Sequence, residues 1–364
     1  MRLRIITDDF TSALDGTACF AQNGWDTAVL LKSSGMHDAA VVSLDTGSRE
    51  NFAADASAAV SAAATAWCAA DVLIQQFDST LRGSVAQQCI AARMASGRSK
   101  LLIAPAFPAA GRTTEGGVVY LDGVPVHLTA FGQDPTHPVV VSNLQALFAA
   151  HGVKVTVARN VAHAGVLLLA HDAVVVDAHS EDELDQLVRC FIAVPELLWA
   201  GSTGLLRSMA RVIPAPSVRD GAQAPCAASA NGARRPWLVV GSLNPRSRRQ
   251  LEVVRMKRSA NVLATDESRS SPEGALRDLT RQTVNLLRTG TCDGLVVTGG
   301  ETARKIDDAL PAVSLRVCYE VEPGIPLVLV KTTTSTFPMI AKAGGFGDDQ
   351  ALLRCLDAIT GVEP

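Results

Sequence analysis

The chain has 364 residues, 48% of them hydrophobic, enough at about 150 residues per domain to build two or three buried cores. Its 33 Lys and Arg against 36 Asp and Glu leave a formal charge of −3, and only 4% of residues are aromatic. Neither charge nor base stacking therefore points to nucleic acid or an anionic membrane as a partner, and any bound anion must be held locally.

Short apolar runs alternate with helical patterns through the first half. Strands are predicted at Leu3–Thr7, Thr27–Leu31, Ala40–Leu44, Val72–Gln76, Lys100–Ala104, Val153–Val157 and Ala173–Asp177. Helices are predicted at Leu14–Gly24, Ala53–Ala69, Val85–Ala95, Leu144–Ala149, Glu181–Ile192 and Gly204–Val212, with capping boxes at Ser84/Gln87, Ser142/Gln145 and Ser180/Glu183. Residues 214–236 carry Pro214, Pro216, Pro225 and Pro236 without apolar periodicity and read as a linker or surface loop. It divides residues 1–213 from residues 237–364. The second half opens with a strand at Trp237–Val240, a helix from Pro245 and another opened by Ser271 and Pro272. A strand at Gly294–Thr298, a helix to Leu310, strands at Leu315–Val321, Leu327–Val330 and Met339–Ala341, and a helix from Asp348 complete it. The fold class is α/β, as two domains with mostly parallel sheets. No apolar run reaches the roughly 18 residues of a membrane span, and the run before Asp8 is too short for a signal-peptide core. The eight cysteines form no C-x-x-C pair and read as reduced, so the cytoplasm is the expected location.

Open α/β sheets place their sites at strand C-terminal ends, and four such junctions are chemically unusual. In Thr7-Asp8-Asp9-Phe10-Thr11, either carboxylate could hold a hydroxyl, accept a proton or cap the following helix. Asp78-Ser79-Thr80-Leu81-Arg82-Gly83 follows the strand ending in Gln75-Gln76, and its Asp, hydroxyls and Arg suit a polyhydroxylated acid. Arg49, after the third strand, offers a second cation or a solvated side chain. In the second half, Thr298-Gly299-Gly300-Glu301-Thr302, Ala343-Gly344-Gly345-Phe346-Gly347-Asp348 and Gly241-Ser242 let backbone N–H groups approach a phosphate. Neither G-x-G-x-x-G nor a P-loop occurs, no His pair has metal-ligand spacing, and Arg246, Arg248, Arg249, Lys257 and Arg258 read as a basic helix, either solvated or with a secondary role near nucleotide phosphates.

These motifs, with Ala106-Phe107-Pro108, Gly111-Arg112, Gly116 through Tyr120, Gly123, Glu322-Pro323-Gly324-Ile325-Pro326 and Lys342-Ala343-Gly344-Gly345-Phe346-Gly347, resemble the four-carbon acid sugar kinase family along nearly the whole chain. The resemblance implies an N-terminal sugar-acid-binding domain, a C-terminal nucleotide-binding domain and an active site in the cleft between them. It implies ATP- and Mg²⁺-dependent phosphorylation of threonate, erythronate or 3-oxo-tetronate. Asp8, Asp9 and Asp78 become the catalytic candidates, with Asp348 a further contender for the base, and Arg49, Asp78, Ser79, Thr80 and Arg82 the substrate contacts. Ser242, Gly299, Gly300, Glu301, Thr302, Gly344, Gly345, Phe346 and Gly347 become the ATP contacts. No metal ligand is assigned and a homodimer is left open. Two departures stand out: Gln75 and Gln76 replace the usual lysine, and Ser12 replaces a glycine. A sugar-acid and nucleotide-binding protein with weak catalysis is the alternative reading.

Overall fold

The protein is described by a computed structural model, covering residues 1–31, 37–50, 53–134, 137–216, 232–265, 272–310 and 312–361. Most of the expected linker, with Cys226 and Ser271, lies outside the described residues. In chain order the first half contains β1 (Leu3–Thr7), α1 (Phe10–Gln22), β2 (Thr27–Leu31), β3 (Val41–Asp45), α2 (Ala53–Ala66), β4 (Val72–Gln76), α3 (Val85–Ser96) and β5 (Lys100–Ala104). There follow β6 (Arg112–Glu115), β7 (Val118–Leu121), β8 (Val124–Pro125), α4 (Leu144–Ala149), β9 (Thr156–Ala158), α5 (Val161–Ala170), β10 (Ala173–Val176), α6 (Glu181–Phe191), β11 (Leu197–Gly201) and α7 (Thr203–Val212). The second half contains β12 (Pro236–Val240), α8 (Pro245–Lys257), β13 (Asn261–Ala264), α9 (Pro272–Arg288), β14 (Gly294–Thr298) and α10 (Gly300–Ala309). It ends with β15 (Ala312–Glu322), β16 (Ile325–Thr332), β17 (Thr336–Lys342) and α11 (Ala351–Thr360).

The chain separates into two compact units, Met1–Asp26 with Leu30–Pro216, and Thr27–Val29 with Ser217–Pro364. In the first, β3-β1-β4-β11-β5-β10-β9 form a parallel sheet. Its inner strands are apolar on both faces, as a sheet covered by helices on both sides requires, and Leu73, Ile74, Leu102 and Leu198 are fully buried. Helices α1, α6 and α7 pack on a core that includes Phe20, Trp25, Leu187, Trp199 and Met209, with Phe20 and Trp25 meeting edge to face at 5.9 Å. Strands β6, β7 and β8 make a small antiparallel sheet whose Gly116 and Gly117 N–H groups donate to the Asp177 carboxylate at 2.8 and 2.9 Å.

In the second unit β13-β12-β14-β17 are parallel, and β16 and β15 extend the sheet antiparallel. Val29 of β2 pairs antiparallel with Leu315 of β15, which is why Thr27–Val29 belong to this unit. Its core gathers Leu238, Val240, Val254, Val296, Ile340, Leu352 and Leu356.

Several local expectations change. Strand β11, helix α5, strand β13 and the β6-β7-β8 sheet were not foreseen. Ser180 and Glu183 form the expected capping box, whereas Ser84 makes no cap bond and Asn143, one residue after Ser142, caps α4. Six of the cysteines are free thiols, Cys19, Cys68, Cys89, Cys190, Cys292 and Cys355. Among the described residues no helix is long and apolar enough to cross a membrane.

Leu73 is fully buried on β4, between β1 and β11. Leu73→Ala should cost about 2–5 kcal/mol in urea unfolding; a loss under about 1 kcal/mol would contradict this packing.

Candidate functional site: a carboxylate–arginine cluster and a glycine turn

Strands β1 and β3 end side by side, pairing Thr7 with Asp45, so Asp8 emerges next to the turn that carries Arg49. The Thr46 hydroxyl donates to the Thr7 carbonyl at 2.6 Å, and the Arg49 N–H donates to the Asp8 carbonyl at 3.0 Å. The guanidinium then grips Asp8 in two bonds, Nε to Oδ2 at 3.0 Å and Nη2 to Oδ1 at 2.8 Å. Nη1 pairs with Asp9, and Nη2 also donates to the Ser12 hydroxyl at 3.2 Å. Asp9 is at the same time the N-cap of α1, accepting from the Ser12 N–H at 2.6 Å.

At the end of β4, Asp78 closes its own turn by accepting from the N–H groups of Thr80 and Arg82, both at 3.3 Å, and from the Thr80 hydroxyl. The Arg82 side chain returns to it in a fork, Nε to Oδ2 at 2.9 Å and Nη2 to Oδ1 at 3.0 Å. The outer side of Arg82 faces the Phe131 ring at 5.3 Å and Asp134 at 4.0 Å. Leu81 is buried with φ of 64°, a conformation that costs a branched residue of order 1–2 kcal/mol and that this hydrogen-bonded turn enforces. Gly83 then passes so near that an added Cβ would stand 3.2 Å from Asp8 Oδ2 and 3.5 Å from Arg49 Cγ.

The two inner carboxylates diverge in acidity. Burial pushes the Asp8 carboxyl above its ordinary value; Arg49 opposes this, while the charges of Asp9 and Asp78 reinforce it. Asp78 is also desolvated, but the charge and hydrogen bonds of Arg82, with Arg49 and the Thr80 hydroxyl, outweigh burial and hold it well below the usual carboxylate range. Asp8 is therefore the better proton acceptor of the two, and Asp78 is ionised at neutral pH.

In the second unit, Ser242, Gly299, Thr302 and Gly344 come together. A Cβ on Gly299 would stand 3.0 Å from Thr302 Oγ1 and 3.3 Å from the Ser242 nitrogen, and one on Gly344 would overlap Ser242 Oγ. Thr302 is buried against this turn, Gly300 begins α10, and Glu301 is exposed on its first turn. Phe346 is half exposed, with its ring against the Gly324 turn.

The sequence assigned no role to three residues that shape this region. Lys342, at the end of β17, is fully buried, and Ser247 and Gln250 reach the glycine turn from α8. The expected solvated basic face of α8 is partly committed: Arg246 donates to the Gly345 carbonyl at 3.0 Å, Arg248 binds Thr265, and Arg249 lies 3.4 Å from Asp349. Asp348, the further contender for the base, pairs with Arg354 at 2.6 Å. Gln75 and Gln76 are buried beneath the first cluster: Gln75 donates to Gln88 at 3.4 Å, Gln76 donates to the Thr203 hydroxyl at 3.2 Å, and their Oε1 atoms lack partners. Ser79 is half buried beside Asp78. Among the described residues no three acidic, His or Cys side chains gather as a metal cage.

Residues 3–209 match the sugar-binding N-terminal domain family and residues 264–352 the nucleotide-binding C-terminal domain family. The chain belongs to the four-carbon acid sugar kinase family. It is 30% identical to a D-threonate kinase of Salmonella typhimurium over 98% of both chains, and 29% identical to one of Bordetella bronchiseptica over 98% of this chain and 96% of that one. A 3-oxo-tetronate kinase of Methylobacterium radiotolerans is 25% identical over 98% of this chain and 99% of that one. A Salmonella typhimurium protein described as a putative tRNA synthase shares the fold, with a TM-score of 0.81 at 19% identity over 97% of this chain and 98% of that one. A Bordetella bronchiseptica protein with bound citrate, crystallised as a domain-swapped dimer, has a TM-score of 0.53 at 28% identity over 99% of this chain and 98% of that one. The carboxylate–arginine cluster of this family member falls in the stretch matched as sugar-binding, and the Gly299 and Gly344 turns in the stretch matched as nucleotide-binding.

Because its folded pKa is depressed, the Asp78 carboxylate contributes stability that is present above about pH 4 and lost as pH falls through the folded value. At pH 7 Asp78→Asn should cost on the order of 2 kcal/mol, discounted for the partial exposure of Arg82. The gap between the two proteins should narrow below about pH 4 in urea titrations; a gap constant from pH 7 to pH 3 would contradict the assignment.

Proposed function

We propose that the protein transfers the γ-phosphoryl group of ATP to a hydroxyl of a four-carbon sugar acid, with threonate, erythronate and 3-oxo-tetronate as the candidate acceptors. The observation that carries this reading is the buried fork of Arg49 on Asp8, joined to Asp9 and facing the Asp78–Arg82 pair. A sugar acid offers a carboxylate and several hydroxyls, and this cluster offers planar cations for the first and carboxylates for the second. Residues 1–213 would act as the sugar-acid domain, 214–236 as linker and 237–364 as nucleotide domain.

Asp8 is the proposed base. Burial raises its carboxyl above the ordinary value, whereas Asp78 is held below it and Asp9 caps α1. Arg49 and Arg82 anchor the acid, with Ser79 and Thr80 as neighbouring hydroxyls. The turns at Ser242, Gly299–Thr302 and Gly344–Gly347 hold ATP, their N–H groups directed at phosphate oxygens. Mg²⁺ enters with ATP, because it keeps several waters and binds mainly through phosphates with one or two carboxylates. Phosphoryl transfer needs positioning and charge neutralisation above all, so the bound acceptor hydroxyl must reach the γ-phosphate in line. The use of ATP favours the cytoplasm, and the domain-swapped relative is the ground for keeping a homodimer as the assembly.

A second reading, ligand binding without efficient turnover, is favoured by Gln75 and Gln76, which are buried and uncharged where the resemblance implies lysine. Coupled ADP release across the three sugar acids separates the two. The kinase reading expects acceptor-dependent ADP release. It also expects Arg82→Ala to raise KM for the acid at least tenfold with little change for ATP, and Gly344→Val to do the reverse. ATP binding without ADP release for any acceptor would contradict it.

A further inference from the structure

The glycine turn after β17 is held by donors arriving from within the fold. Lys342 Nζ donates to the carbonyls of Ala343 at 2.9 Å, Gly344 at 3.3 Å and Phe346 at 3.1 Å. The Ser247 hydroxyl donates to the Gly344 carbonyl at 2.8 Å, and Arg246 Nη1 to those of Gly345 at 3.0 Å and Gly347 at 3.4 Å. Gln250 Nε2 takes the carbonyls of Phe346 at 3.1 Å, Gly347 at 3.4 Å and Asp348 at 2.6 Å. Six consecutive carbonyls, from Ala343 to Asp348, are thus engaged by side chains.

A trans peptide is planar, so the N–H of one residue points opposite to the carbonyl of the residue before it. Among the described residues no peptide bond is cis. Carbonyls drawn onto a buried ammonium therefore leave the following N–H groups facing away from it. A lysine with no carboxylate among these bonds is costly to bury, and it is the one side chain here whose three donors all go to the turn.

We propose that Lys342 is the positioning residue of the nucleotide turn: its ammonium draws the Ala343, Gly344 and Phe346 carbonyls inward and thereby points the Gly344, Gly345 and Gly347 N–H groups at the phosphates of ATP. This rests on the reading that the turn binds ATP. Burial pushes the Lys342 pKa down to about 8. The charged groups facing it are Arg246 on α8 and Glu322 on β15, the latter paired with Arg354 of α11. Cys355 on α11 is pushed up to about 12 by burial and stays neutral through the same range. As pH rises through 8, Nζ loses one of its three donors and presents a lone pair to the carbonyls. The turn should loosen, and ATP affinity should fall.

The test is calorimetric binding of MgATP, and separately of threonate, to the intact protein and to Lys342→Met. If the wild type does not bind MgATP, the nucleotide reading itself fails. If it does, Lys342→Met is expected to bind MgATP at least tenfold more weakly while threonate affinity and threonate-induced thermal stabilisation are unchanged. Equal MgATP affinity in a folded Lys342→Met would overturn the proposal. Should that variant not fold, the wild type alone decides: affinity should drop severalfold between pH 7.5 and pH 9.5, and a flat profile would overturn it.

Discussion

The first unit depends on one buried cation. Arg49 lies between Asp8 and Asp9, is electrostatically coupled to Asp78, and is held so firmly that its own pKa rises well above the ordinary value despite burial. Without it, Asp8 would be an unpaired carboxylate at a strand end, and a buried charge without a partner is among the most damaging single defects in a fold. Four carboxylates, Asp8, Asp9, Asp78 and Asp134, share two guanidiniums, Arg49 and Arg82, so the pairs described leave a formal excess of two negative charges (4 − 2 = 2). In the proposed kinase, a bound sugar acid would therefore exchange with an existing pair rather than fill an empty slot. That exchange would suit the proposed role of Asp8, because displacing a carboxylate from Arg49 makes it a stronger base.

The second unit solves a similar problem without a free surface charge. A chain of net charge −3 cannot collect ATP through its overall field. In the proposed ATP site the turn would instead present oriented peptide dipoles, and Lys342, Ser247 and Gln250 hold its carbonyls from the buried side. Ser247 and Gln250 stand three residues apart on α8, on the same buried face as Leu251 and Val254, so one helix packs the core and shapes the turn together.

The frame of this architecture was legible because β1, β2, β4, β5 and β14 are predominantly apolar, and β1, β4 and β14 run into polar or glycine-rich junctions. Helix α5 escaped notice because Val161–Ala170 is apolar around its circumference, with Val166 and Leu169 exposed, and shows no helical stripe. Strand β11, which pairs with both β4 and β5, is as long as these strands, but its Leu-Leu-Trp-Ala-Gly run has no β-branched residue, and a short apolar run of that kind reads equally well as a helical segment. At the site, the Asp8, Asp9, Asp78 and Arg82 motifs were visible, but their pairing was not. Arg49 lies 41 residues from Asp8, and only the parallel register of β1 and β3 brings them together. Lys342 was read as part of a motif with no role, since burial and carbonyl contacts leave no mark on spacing. Ser12, a departure from the family pattern, proves to carry a hydroxyl bonded to Arg49.

In the proposed kinase, the fork of Arg49, and not its charge alone, organises sugar-acid binding. This is tested most directly by measuring threonate affinity calorimetrically for the wild type and Arg49→Lys, which keeps the cation but loses the planar fork. Threonate binding should be at least tenfold weaker in Arg49→Lys, with MgATP affinity unchanged. Unaltered threonate binding, or an equal loss for both ligands, would contradict it.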